Sequence, residues 1–227
     1  MASLDHLVIM ATSLEQGVAW CEATLGVTPG PGGEHPLMGT HNRLLKIASP
    51  GFAGAYLEII AINPIAIPSI STRARRWFDM DDLALRAHVA QHGPTLTHFV
   101  AKVPDVTDAV AALATQGIVR GTVVQAARQT ATGLLRWQIS VREDGQRLFD
   151  GCLPTLIQWG DIHPTDTMPD SGVSLQRLQV QHPQAAALNA AYQTIGLQLG
   201  PTAVTTGPAR LSAHMQTPKG LVEIHTP

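Results

Sequence analysis

Three times along the chain, an apolar strand-like run broken by one polar residue opens a segment that passes through helical spacing and returns to strand-like alternation. The openers read LDHLVIMA from Leu4, LTHFVAKV from Leu96 and SLQRLQVQ from Ser174. The closers read YLEIIAI from Tyr56, LPTLIQWG from Leu153 and GLVEIHTP from Gly220. His6, His98 and Arg177 interrupt the openers, and Glu58, Gln158 and Glu223 stand at matching places in the closers. A supersecondary unit copied in this way is expected to bring corresponding residues together, so a shared central site is the first expectation.

Between opener and closer the elements follow from local signals. After Met10, Thr12 or Ser13 predicts a helix N-cap with Glu15 and Gln16 behind it, and Gly26 ends a helix that runs to about Leu25. The Gly- and Pro-rich stretch VTPGPGGEHPLMGTHNR predicts a loop over the sheet, and strands over 42–48 and 55–62 complete a βαβββ-like unit. The second unit repeats the order. A strand over 95–103 leads to a helix opened by Pro104-Asp105 and closed by Gly117, then strands over 122–128, 134–143 and 153–160, with Asp144-Gly145 as a hairpin turn. Between the two units, Trp77, Met80, Leu83, Leu85 and Val89 carry helical spacing across 69–92. The stretch HPTDTMPDSG reads as a linker, and the third unit has a helix over 183–195 followed by strands over 199–205, 209–216 and 221–225. The organisation read from this is 1–160 as paired modules (1–62 and 95–160, connector 63–94) and 161–227 as an appended half-module.

Composition narrows the class. With 227 residues, 44% of them hydrophobic, and a formal charge of -2, the chain reads as an ordinary globular protein. The only concentration of base is Arg73, Arg75 and Arg76, which gives no footprint for nucleic acid and favours a small neutral or mildly anionic partner. Every apolar run is cut by Gly, Pro or charge well short of the roughly 20 residues needed to cross a bilayer. MASLDHL lacks the basic-then-apolar pattern of a signal peptide, so a cytoplasmic location is expected, with no membrane partner. Cys21 and Cys152 are too few for a disulfide framework or a thiolate zinc site, and Cys21 reads as a buried thiol.

Alternation in a strand places side chains two apart on one face, so His6, Glu58 and His98 stand among apolar neighbours. A carboxylate there costs several kcal/mol unless a cation or hydrogen bonds compensate it. A divalent metal held by His6, His98 and Glu58 would do so and leave positions open for substrate, a set suited to Fe, Mn, Zn or Ni, with Gln158 as a neutral fourth ligand. The alternative is that both histidines are hydrogen-bonded core residues and Glu58 pairs with Arg43. The loop residues His35, Asn42 and Arg43 are candidate substrate contacts, Arg43 as a fork for a carboxylate or phosphate. In the third unit an Arg177–Glu223 ion pair is expected where the other units carry site residues. Trp77 and Phe78 are expected to cap the cavity or a subunit contact in a homodimer.

LDHLVIMATSLEQGVAWCEATLGVTPGPGGEHPLMGTHNRLLKI followed by YLEIIAI resembles the glyoxalase-like branch of the vicinal oxygen chelate superfamily. The resemblance implies an α+β fold of paired βαβββ modules, with a cupped mixed sheet and helices outside, to which the repeat pattern adds a third partial module at the C-terminus. It implies metal ligands at His6, Glu58, His98 and Gln158, and a small oxygenated substrate activated by bidentate chelation, with Glu58 catalytic. Gln158 departs from the carboxylate of a glyoxalase, whose mechanism shares proton transfer between two glutamates. An extradiol-type dioxygenase would need its glutamate in the second module, where Gln158 stands. A metal-free protein of the same fold that sequesters a small molecule is the competing expectation.

Overall fold

The computed structural model describes residues 1–66, 75–130, 133–199 and 204–227. The first unit consists of β1 (Ser3–Met10), α1 (Leu14–Leu25), β2 (Glu34–His35), β3 (Thr40–Lys46) and β4 (Tyr56–Ile62). The connector carries α2 (Leu83–His92), and the second unit is β5 (Thr95–Lys102), α3 (Val106–Ala114), β6 (Thr122–Thr130), β7 (Gly133–Val141) and β8 (Thr155–Trp159). The helices begin and end where the chain chemistry places them. Ser13 caps α1 by accepting from the Gln16 N–H, Asp105 caps α3 through the Asp108 N–H, and Gly26 at φ 78° closes α1.

The eight strands form one sheet in the order β2-β3-β4-β1-β5-β8-β7-β6, two modules related by a pseudo-two-fold axis and joined where β1 and β5 run antiparallel. Alternation sorts the side chains into two cores. Leu7, Ile9, Leu57, Ile59, Phe99 and Leu156 face outward onto α1, α3 and the third unit. Val8, Ile60, Val100, Ile139 and Ile157 face inward, where the connector residues Trp77, Phe78, Met80, Leu85 and Val89 fill the cup. Because both faces are covered, β4 is buried along nearly its whole length. α1 approaches β4 closely at Gly17, where an added Cβ would lie 2.3 Å from Ile59 Cγ2.

The connector departs from the expected helix. Helix starts only at Leu83, capped by Asp82, and the part of the expected span over 69–74 lies outside the described residues. Trp77 to Met80 make a turn with Phe78 at φ 58° and Asp79 at φ 56°, a conformation costly for residues with a Cβ. An Arg147 Nε to Asp79 Oδ2 bond of 2.9 Å and the Asp79 N–H to Gly145 O bond hold it in place. Trp77 and Phe78 stack at 4.9 Å and are buried within the single chain, so they cap the cavity. The segment around Asp144-Gly145 turns as expected, but β8 resumes only at Thr155, after a short helical turn over Phe149–Gly151.

The third unit, β9 (Ser174–Gln181), α4 (Ala185–Thr194), β10 (Arg210–Thr217) and β11 (Gly220–His225), forms a separate antiparallel sheet in the order β11-β10-β9. Of the strand expected over 199–205, residues 200–203 lie outside the described residues, and Thr205 makes an isolated bridge to Gln181. The expected Arg177–Glu223 pair does not form, because β10 lies between the two strands with His214 opposite both residues. Glu223 instead lies 3.7 Å from Arg210, with both side chains more than a third exposed.

Candidate functional site

Each module opens on a strand whose histidine follows a register shift. On β1 the pairing with β5 steps from Leu4–Ala101 to His6–Val100, so Asp5 is an extra residue in the ladder. On β5 the step from His98 to Leu96 leaves Thr97 in the same position. Such bulges re-aim a side chain, and here the shift brings Asp5 beside its own neighbour His6, with 2.6 Å between Oδ1 and Nδ1. The parallel partners repeat the pattern. Glu58 pairs with Val8, two residues after His6, and Thr155 pairs with Val100, two residues after His98. The two-fold relation therefore matches Asp5, His6 and Glu58 with Thr97, His98 and Thr155, and the acids occur only in the first module.

The first set is charged and buried. Asp5 accepts three hydrogen bonds, from His6 Nδ1, from the Trp159 indole N–H at 2.8 Å and from His163 Nε2 at 3.0 Å. The Thr165 backbone N–H donates to His163 Nδ1, which places the His163 proton on Nε2, toward Asp5. Burial works to raise the Asp5 pKa, but the bonds from His163 and His6 outweigh it and hold the carboxyl well below its usual range. Burial works to lower the His6 pKa, yet the bonds to Asp5 and Glu58 prevail and push it up to about 9. His6 is thus an imidazolium at neutral pH, stacked on Tyr56 at 4.6 Å. Its Nε2 faces Glu58 Oε2 at 3.5 Å, the outer limit of a hydrogen bond.

Glu58 keeps its charge through the same arrangement. Its Oε1 accepts from Asn42 Nδ2 at 2.6 Å, while Asn42 Oδ1 accepts from the Gly33 N–H. Against the penalty of burial, the bond and charge of His6 and the bond from Asn42 lower the Glu58 pKa. His35 lies on β2, with Nε2 4.0 Å from Glu58 Oε1, and burial pushes its own pKa down to about 4, so its ring is neutral. His6, His35, Asn42, Tyr56 and Glu58 line a chamber of about 40 Å³ whose wall is completed by Trp77, Phe78, Trp137 and Trp159. Leu44, Arg128, Leu135 and Pro164 line both this chamber and an open, mainly apolar basin of about 810 Å³ beneath the Gly30–Gly33 loop.

The second set is neutral. Thr155 N–H donates to His98 Nε2 at 3.1 Å, so that nitrogen is an acceptor, and Nδ1–H donates to Gly151 O at 2.9 Å. Burial and the nearby Arg147 hold the His98 pKa well below its ordinary value. His98 is the hydrogen-bonded core histidine of the two alternatives. Gln158 pairs across the sheet with Gln138 and accepts from the Val106 N–H at 2.9 Å, on the helix side, because Ile157 and Trp159 occupy the inward positions. Thr155, three residues earlier, is the true counterpart of Glu58. Arg43 is likewise one residue out of phase: Asn42 and Leu44 face the chamber and Arg43 is exposed.

Of the expected residues, the structure brings His6, Glu58, His35 and Asn42 together, and leaves His98, Gln158 and Arg43 elsewhere. Among the described residues no group of three His, Cys, Asp or Glu converges as a metal's donors. His6 has one nitrogen on Asp5 and the other toward Glu58, and both His98 nitrogens are used by the backbone and Thr155. This donor set does not fit the divalent ion expected from sequence. Asp5, Arg128, Trp159 and His163 are the members that sequence reasoning missed. Asp5 alone carried a signal, as an acid inside an apolar strand.

A family model for the glyoxalase-like domain matches residues 4–196. No curated protein matches the chain. Among solved structures, a hypothetical protein from Staphylococcus aureus is similar over 99% of this chain and 85% of its own, with 12% identity and a TM-score of 0.58. A methylmalonyl-CoA epimerase variant from Streptomyces coelicolor, solved with 2-nitronate-propionyl-CoA, has 16% identity, covers 69% of this chain and 92% of its own, and has a TM-score of 0.41. The epimerase from Mycobacterium tuberculosis has 17% identity over 73% and 91% of the two chains, with a TM-score of 0.39. Among the described residues no helix is long and apolar enough to cross a membrane. With the family model spanning both modules and the paired βαβββ sheet in place, the chain belongs to the glyoxalase-like proteins of the vicinal oxygen chelate type.

Proposed function

We propose that this protein is an acid–base enzyme that moves a proton on a small oxygenated anion, using His6 and Glu58 without a resident metal. The observation that carries the reading is a buried imidazole and a buried carboxylate facing each other across 3.5 Å at the edge of a small chamber. A carbonyl oxygen placed at His6 Nε2 would meet a charged donor, which stabilises the negative charge that develops there when a neighbouring C–H bond breaks. Glu58 Oε2 is the base in reach of that proton. The C–H electron pair moves into the carbonyl as the proton passes to the carboxylate, and the reverse step returns a proton to the carbon from the same face. Arg128, which has no carboxylate partner among the described residues, is the anchor for the substrate's own carboxylate at the junction of chamber and basin. The basin accommodates the rest of the molecule.

The reading replaces Lewis-acid activation with a hydrogen-bonded cation, because the expected ligands are committed elsewhere. The test is exchange. A panel of 2-oxo carboxylates incubated with chelator-treated protein in D₂O should lose the signal of the C3 protons beside the ketone by NMR. Glu58→Gln and His6→Asn should each slow exchange by about 10²–10⁴-fold, the usual worth of a positioned acid or base. Exchange that appears only on adding a divalent ion would contradict the metal-free mechanism. Ligands that bind without any exchange would make the protein a sequestering member of the family.

A further inference from the structure

We propose that the second module holds a single halide-sized anion, chloride in ordinary solution, in a small cavity against Arg120 and Trp77. The cavity is lined by Trp77, Phe78, Arg120, Arg142 and Thr155 among others, has a volume of about 10 Å³, and has no Asp or Glu in its wall. Arg120 is only 3% exposed. Its Nη2 donates to Pro154 O at 2.6 Å and to Thr155 Oγ1 at 3.3 Å, both neutral acceptors. Among the described residues its Nε–H is buried without an acceptor, and so is the Trp77 indole N–H. Arg142 on the same wall is already paired with Asp144.

A buried guanidinium needs a counter-charge, because no water shell compensates it. The other arginines near this region have one each, Arg142 in Asp144 and Arg147 in Asp79. In the first module the corresponding position carries two acids balanced by His6; in the second, both acids are threonines and the cation has nothing opposite it. The missing group must fit a space of about one water. A water there could give its protons to the Ser140, Thr155 or Gln146 oxygens on the same wall, but it would bring no charge to the buried guanidinium. A spherical anion accepts from both orphan N–H groups and supplies the charge. Trp77 and Phe78 line both this space and the His6–Glu58 chamber, so the anion would lie against the rings that border that chamber. It would thereby fix that ring pair.

The test compares the full chain in sodium chloride and in sodium gluconate at equal ionic strength, gluconate being too large to enter. Chloride, and bromide in its place, should raise the melting temperature of the wild type by several degrees in a saturable way. Arg120→Met should abolish the dependence, and Trp77→Phe, which keeps the ring stack and removes one donor, should weaken it several-fold. A crystal grown in bromide should give an anomalous peak within hydrogen-bond distance of Arg120 Nε. Equal melting temperatures in chloride and gluconate, or a water without anomalous signal at that position, would overturn the proposal. If Arg120→Met does not fold, the wild-type halide dependence and the bromide peak still decide it.

Discussion

Replacing Asp5 by Asn removes the negative charge that holds the buried His6 proton while preserving shape. The His6 pKa of about 9, against 6.5 for the free side chain, corresponds to about 3 kcal/mol favouring the protonated folded state. His6, Asp5 and Glu58 share this one interaction, so it is counted once. A histidine whose folded pKa is raised contributes stability that is fully present below pH 6.5 and is lost as pH rises through about 9. Asp5 and Glu58, whose pKa values are lowered, contribute stability present above their ordinary range and lost in acid. Wild-type stability should therefore be highest near neutrality and fall on both sides. In Asp5→Asn, the amide offers one acceptor oxygen where the carboxylate served three donors, and burial then lowers the His6 pKa. Breaking a buried pair in this way costs about 3–5 kcal/mol. Urea unfolding at intervals from pH 5 to 10 measures both effects. The expected variant is less stable at pH 7, with a much flatter profile between 7 and 9.5. A variant that matches the wild type at pH 7, or keeps the same decline above pH 8, would refute the charged Asp5–His6 pair.

Glu58→Gln should leave the Asn42 bond largely in place while lowering the His6 pKa, which NMR titration of the imidazole would register. Gly17→Ala should destabilise the fold by about 1–3 kcal/mol, because the new methyl would sit 2.3 Å from Ile59 Cγ2 in a packed core; a melting curve checks it. Gly32→Ala places a Cβ 2.1 Å from Asn42 O and 2.2 Å from Asn42 Oδ1, so it should shift Asn42 and reduce proton exchange more than stability. Thr155→Glu would restore an acid beside His98 and Arg120, and should raise the His98 pKa from its depressed value, readable by the same NMR titration.

Much of the fold was legible because alternation and capping are local. The strand openers, the Ser13 and Asp105 caps and the Gly26 stop all sit where the sequence places them. His6 and Glu58 were legible for the same reason, as polar residues on an apolar face. The errors at Gln158 and Arg43 share one cause: in a strand, a shift of one residue moves a side chain to the opposite face. Matching LIQWG to LEIIAI by its polar letter put Gln158 in phase, while the pairing of Val100 with Thr155 puts it out of phase. Asp5 was hidden by a bulge, which depends on the partner strand. Arg128 and His163 come from segments far away in sequence, and only the closed sheet brings them to the site. The connector failed as a helix at Trp77–Met80 because tertiary bonds from Arg147 and Gly145 hold Phe78 and Asp79 at positive φ.

The protonation state of His6 tests the account most directly. Long-range ¹H–¹⁵N spectra of metal-free protein at pH 7.5 should show both ring nitrogens of His6 protonated, with titration near pH 9 and no change on adding Zn, Mn, Ni or Fe. A neutral His6 ring at that pH, or an Nε2 resonance that moves with stoichiometric metal, would contradict it.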